Sequence, residues 1–140
     1  MKDEIIKKKI TENETVMLLI KYLEKENYTI IDYCTGTKKG VDIEAEKNNK
    51  KLLIEVKGAR ANIIKKRKFF DSGQIKVHFG KAIIKSIETK IKHPEDSVAI
   101  AHPDDEDIRR NIESLIPYIN QIGIIHYWVK RDGSVIKCGN

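Results

Sequence analysis

The chain has 140 residues, with 27 Lys and Arg against 21 Asp and Glu and a formal net charge of +6. At 40% hydrophobic and 34% charged residues it can build one core, which excludes a disordered acidic tail and a low-complexity fibre. No apolar run approaches the ~18 residues that span a bilayer, and two cysteines (Cys34 and Cys138) are too few for a disulfide framework, so a cytoplasmic protein with reduced thiols is expected.

Residues 1–10 read as a charged leader, lysine-rich and without the apolar stretch of a secretory signal. A helix is predicted from Glu12 to about Asn27. Thr11 and Glu14 have capping-box spacing, and Val16, Leu19, Ile20 and Leu23 fall on one face. Three strands follow: Tyr28 to Cys34, Val41 to Lys47 and Leu52 to Lys57. The last two are joined by Asn48-Asn49, residues that tolerate the positive φ of a tight hairpin turn. After a basic stretch from Arg60 to Lys68, a second helix is predicted to start near Asp71 or Ser72, with Phe79, Ala82, Ile83 and Ile87 as its apolar stripe. Ser97 to Ala101 reads as a short buried strand closed by His102-Pro103. A third helical segment places Ile108, Ile112, Leu115, Ile116 and Ile119 on one face, is interrupted at Pro117 and stops at Gly123. The chain ends in a hairpin, Ile124 to Val129 and Ser134 to Cys138, turned at Asp132-Gly133. The order is α-β-β-β-α-β-α-β-β, a single α/β domain over residues 1–140 with a core at 11–102 and an extension at 103–140.

A two-residue turn at Asn48-Asn49 fixes the hairpin register. Lys47 opposes Lys50, and Asp42 then falls opposite Glu55 with both side chains on one face and Cβ atoms roughly 4.5–5.5 Å apart. Lys57 points to that face too. Val41, Ile43, Ala45, Leu52, Ile54 and Val56 are expected on the opposite, core face. Two opposed carboxylates need compensation, and a hard divalent cation supplies it. The plainer alternative is a solvated charged face, with Glu46 opposing Lys51 as an ordinary surface pair. Leu53 shares the face with Glu55, which argues that the face is not simply wet.

Gly40-Val41-Asp42-Ile43, followed after twelve residues by Glu55-Val56-Lys57-Gly58, resembles the PD-(D/E)xK nuclease superfamily, similar to Holliday-junction resolvases and Mrr-type nucleases. Val41 stands where the family name has proline, a residue many members lack. The resemblance implies a restriction endonuclease-like α-β-β-β-α-β core, here with a C-terminal helix and β-hairpin, as a central mixed sheet flanked by helices. It implies that Asp42 and Glu55 hold Mg²⁺ (with Mn²⁺ as a substitute), the backbone carbonyl of Val56 being a third ligand. Lys57 would orient the attacking water or stabilise charge in the transition state. A first-helix acid often joins the site. Glu12 lies on the side of Val16, Leu19 and Leu23, whereas Glu14 points away and has the capping job, so Glu12 is the choice of the two. Gln74, at the start of the second helix, stands where related nucleases often carry a glutamine that contacts phosphate or a metal-bound water. His78 and Lys81 follow on its face, and for His78 a plain helix edge is the better reading.

Between 57 and 68 the chain carries Lys57, Arg60, Lys65, Lys66, Arg67 and Lys68 and no acid. With Lys81, these residues are expected to bind nucleic-acid phosphates in a salt-sensitive, sequence-independent way, although such runs are often simply solvated. Phe69 and Phe70 would stack on a base or, more commonly, anchor the loop. His93, His102 and His126 do not cluster with cysteines at zinc spacing and receive no chemistry. The expected function is a Mg²⁺-dependent DNA endonuclease, with RNA an open alternative substrate. A homodimer is expected, since cutting two strands needs two sites. The competing expectation is a non-catalytic or partner-activated accessory subunit that binds nucleic acid through a nuclease fold.

Overall fold

A computed structural model describes residues 9–35, 40–61 and 70–140. One six-stranded mixed sheet runs through the molecule in the order of the sequence. Strands β1 (Thr29–Tyr33), β2 (Ile43–Lys47) and β3 (Lys50–Val56) form an antiparallel meander. β3 then pairs parallel with β4 (Ser97–Pro103), β4 pairs parallel with β5 (Ile124–Val129), and β6 (Val135–Cys138) returns antiparallel along β5.

The predicted helices form where their caps place them. α1 (Glu12–Lys25) opens with Thr11 accepting from the Glu14 nitrogen while Glu14 accepts from the Thr11 nitrogen. α2 (Ser72–Lys92) opens with the same reciprocal pair between Asp71 and Gln74. The third helical segment is broken as expected: α3 (Glu106–Ile112) passes into a 3-10 turn over Glu113–Leu115 and then α4 (Ile116–Gln121), which carries Pro117 in its first turn, and Gly123 follows at φ +86°.

The two faces of the sheet bury separate cores. α1 lays Val16, Leu19, Ile20 and Leu23 on Ile43, Ala45, Ile54, Val56 and Tyr127. On the other face α2, α3 and α4 bring Phe79, Ala82, Ile108, Ile112 and Ile119 onto Leu53, Ile100 and Trp128. Each fully buried Ile or Leu contributes about 1.5–3 kcal/mol, and this two-sided cover buries β4 from Val98 onward and all of β5, mostly apolar strands that also carry His102 and His126.

The β2–β3 register is the one the turn dictates. Lys47 pairs with Lys50, Ala45 with Leu52 and Ile43 with Ile54, and Asn48 and Asn49 sit at φ 54° and 64°. Four expectations change. Val41 packs with the α2 side rather than with the α1 core, because the regular ladder starts only at Ile43. Ile87 and Leu115 are exposed, because their helices turn the faces of Ile75, Phe79 and Ser86, and of Ile112 and Ile116, inward instead. β4 continues through His102 and Pro103 before ending. Lys51 pairs with Glu44 at 3.1 Å, a diagonal neighbour, although Glu46 stands directly opposite it. In β1 the pairing slips between Ile30 and Asp32, which leaves Ile31 as a bulge.

Candidate metal centre

The site lies where β2 begins and β3 ends. Asp42 immediately precedes β2. Its nitrogen donates to the Ile54 carbonyl (3.0 Å), and its Oδ2 accepts from the Val56 nitrogen (2.8 Å). The Asp42 carboxyl is thereby fixed against the backbone residue next to Glu55. Glu55 is only 5% exposed, an unusual burial for an acid. It shares its face of β3 with Leu53, which is buried against the α2 side.

Gly58 brings the third carboxyl in. A Cβ at Gly58 would fall against the Glu12 nitrogen and 2.8 Å from the Thr11 carbonyl carbon. With only a hydrogen there, the chain leaving β3 passes directly over the N-terminus of α1, an approach tied by the Ala59 nitrogen to the Ile10 carbonyl (2.8 Å) and by a bridge from Thr11 to Arg60. Glu12 consequently lies within electrostatic reach of Asp42, Lys57 and Lys85. Glu14 is engaged elsewhere, in the cap and 3.6 Å from Arg60.

The charges act on one another. Burial first, and then the charge of Asp42, push the Glu55 carboxyl up to about 7, against the lowering effect of Lys85 and Lys57. Asp42 is raised as well, chiefly by burial, against the Val56 N–H and the two lysines, and it shares a hydrogen bond with Glu55. Glu12 is raised by burial and by Asp42. Even with Lys85 beside it, the metal-free carboxyl pair is thus driven to take up a proton as pH falls through about 7. A pair of adjoining carboxyls, one almost wholly buried, is a hard oxygen donor pair that suits Mg²⁺ or Mn²⁺ and offers nothing to a soft metal, while Glu12 stands within electrostatic range but outside the distance at which three ligand atoms share an ion. The residues fit such an ion: Asp42 and Glu55 would hold it, with Glu12 at the margin.

One member of the site escaped the sequence reading. Lys85, from the middle of α2, reaches across to place its Nζ 2.9 Å from Glu55 Oε1 and donates to the Gly40 carbonyl at 2.6 Å. Its signal is the helical series Gln74, His78, Lys81, Lys85, which runs along one side of α2. Lys85, Gly40 and Val41 also line a cleft of about 540 Å³ between α2 and the β2–β3 hairpin, with Glu44, Lys51 and Lys92 further along it.

The other sequence candidates are spread more widely. Gln74 closes the α2 cap through its side-chain oxygen. Arg60 has its side chain largely buried, with Nε donating to the Lys9 carbonyl at 2.7 Å, so it braces the start of α1 and does not offer its guanidinium to solvent. Lys81 is exposed on α2. His78 meets Phe70 edge-on at 4.6 Å, and burial with the charges of Lys57 and Lys81 lowers its pKa. Lys65, Lys66, Arg67 and Lys68, with Phe69, lie outside the described residues.

Behind Lys57 lies a feature the sequence did not suggest. His102 Nδ1 and His126 Nε2 are 2.8 Å apart in the α2-side core, between Phe79 and Trp128, and both rings are buried. Burial holds His126 down to about 3 and His102 well below its ordinary value, the latter helped by His126, Lys57 and His78. On the surface, His93, Glu95 and Asp96 bring ligand atoms within 4.8 Å of one another in the turn after α2, an arrangement common in solvated turns.

Comparison with protein-family models, with curated proteins and with solved structures found no match. Among the described residues no helix is long and apolar enough to cross a membrane.

Proposed function

We propose that the chain is a Mg²⁺-dependent nuclease of the PD-(D/E)xK type that hydrolyses DNA phosphodiester bonds, with its sheet and helices arranged as a restriction endonuclease-like core and a helix-and-hairpin extension. The observation that carries this reading is the carboxyl pair Asp42–Glu55 at the mouth of the β2–β3 hairpin, joined by Glu12 and by Lys57. A merely solvated hairpin has no reason to bury Glu55 or to lock Asp42 onto the Val56 nitrogen.

Hydrolysis puts a hydroxyl on phosphorus and a proton on the departing oxygen. Bound Mg²⁺ supplies a Lewis acid for the phosphate and lowers the pKa of water. Asp42, fixed by the Val56 N–H, and Glu55, fixed by its strand, would present their oxygens to the ion once Lys85 and the proton give way. Lys57 holds a positive charge beside them, suited to a non-bridging phosphate oxygen or to orienting the attacking water. The net charge of +6 favours encounter with a polyanion.

The test is incubation of the purified chain with supercoiled plasmid and branched DNA in Mg²⁺, Mn²⁺ or EDTA, beside Asp42→Ala and Lys57→Ala. Metal-dependent cleavage that falls by about 10²-fold or more in each variant is the expected result. Cleavage that survives both substitutions overturns the assignment. Inert wild type and variants that bind DNA alike, with a steep salt dependence, replace it with an accessory subunit activated by a partner.

A further inference from the structure

α2 carries an apolar stripe on the side turned away from the sheet. Val77, Ile84, Ile87 and Ile91 are 54, 62, 39 and 74% exposed, although the same helix already buries Ile75, Phe79, Ala82 and Ser86 on its inner side. At 100° per residue the four exposed side chains fall within about 80° of arc, and Gly80 lies inside it. Val77, Ile84 and Ile91 are seven residues apart, with Gly80 and Ile87 between them at the alternate positions. That is the 3.5-residue repeat by which one helix meets another, and it runs for about 21 Å. Solvation alone does not select β-branched residues at this spacing, since four exposed Ile and Val in one stripe cost solubility.

We propose that this outer face of α2 is the interface between two copies of the chain, paired antiparallel about a twofold axis at Ile84. The axis places Val77 against Ile91 of the second copy, and Gly80, where even a Cβ would meet open space, leaves a hole for Ile87. Charge selects both the partner and the direction. Lys81 and Glu88 are exposed together on one flank of the stripe, and the antiparallel twofold brings each Lys81 to the opposite Glu88, making two symmetric ion pairs. A parallel pairing sets Lys81 against Lys76 instead, a like-charge contact. On the Lys81–Glu88 flank the stripe is therefore complementary to itself antiparallel and not parallel. This interface stands independently of the chemistry at Asp42 and Glu55, and it assigns Lys81 to a pairing partner rather than to phosphate.

The experiment is sedimentation equilibrium of the full chain across a concentration series, with wild type, Ile84→Glu, Lys81→Glu, Glu88→Lys and the double variant, each checked for folding by circular dichroism. Ile84 is exposed, so its replacement leaves the core intact. The expected result is a wild-type dimer whose dissociation constant rises by about tenfold or more in Ile84→Glu, rises in each single charge variant, and returns toward wild type in Lys81→Glu/Glu88→Lys. A wild type that stays monomeric throughout, or a dimer indifferent to Ile84→Glu, overturns the interface. Single charge variants that change nothing, or a double variant weaker than both singles, overturn the antiparallel pairing.

Discussion

Lys85 holds its ammonium 2.9 Å from Oε1 of Glu55, so the most buried acid of the candidate site already has a cation beside it, supplied by the opposite layer of the fold. The Gly40 carbonyl, 2.6 Å from the same Nζ, fixes where that charge sits. Lys85 thus competes with any divalent ion for Glu55. Replacing Lys85 with Met should tighten Mn²⁺ binding by about tenfold when measured by calorimetry above the Glu55 pKa, where the carboxylate is ionised in both proteins. Unchanged affinity removes Lys85 from the site's electrostatics.

The proton on the carboxyl pair makes stability depend on pH. Glu55 has a folded pKa of about 7 against an ordinary 4.5, so folding favours its protonated form. The contribution is complete below about 4.5 and is lost as pH rises through about 7, an effect on the order of 3 kcal/mol. Glu55→Gln should therefore stabilise the metal-free protein at pH 8 and make little difference at pH 4.5, as read by urea unfolding at the two pH values. Equal effects at both would mean that Glu55 is ionised normally.

The buried imidazoles pull the other way. Burial holds His102 and His126 below the ordinary 6.5, so their contribution is present above 6.5 and is lost as pH falls below it, for His126 toward about 3. Both rings should remain neutral at pH 5.5 in nitrogen-detected NMR. Unfolding between pH 6 and 4 should take up protons, and His126→Leu should reduce that uptake by about one. The same variant strips His102 Nδ1 of its partner, at a cost of about 1–3 kcal/mol near neutrality.

Gly58 is the hinge on which Glu12 reaches the site. Gly58→Ala forces the N-terminus of α1 away from the end of β3 and should lower stability by about 1–3 kcal/mol in denaturant unfolding. If the nuclease reading holds, metal affinity should fall with it, because Glu12 moves while Asp42 and Glu55 stay. A fully stable variant would show that the close approach relaxes without consequence.

How far these features could be read from the sequence follows from how local their causes are. The hairpin register was legible because two asparagines at positive φ determine it within the turn, and the capping boxes because they span three residues. Glu12 was distinguishable from Glu14 because helical angle separates them. Lys85 was only half legible: the helical series Gln74, His78, Lys81, Lys85 gives its face, but its contact with Glu55 bridges thirty residues and two layers that no local pattern specifies. The His102–His126 pair arises from a parallel ladder that no local pattern fixes. Ile87 was assigned to the core because periodicity identifies a stripe without saying which of two apolar stripes on one helix faces inward.

The bulge at Ile31 governs how the chain behaves in a crowd of its own copies. Among the described residues β1 is one of the two edges of the sheet, five residues long, with Ile31 and Tyr33 exposed and a row of backbone donors and acceptors on its outer side. A straight edge of that composition is a template for another strand. The slipped pairing between Ile30 and Asp32 bends it, and Asp32 turns its own carboxylate onto the Tyr33 nitrogen at 2.9 Å, withdrawing one donor. Deleting Ile31 would straighten that margin, and the chain would exchange an orderly pairing through helices for uncontrolled growth through strands, visible as turbidity on concentration.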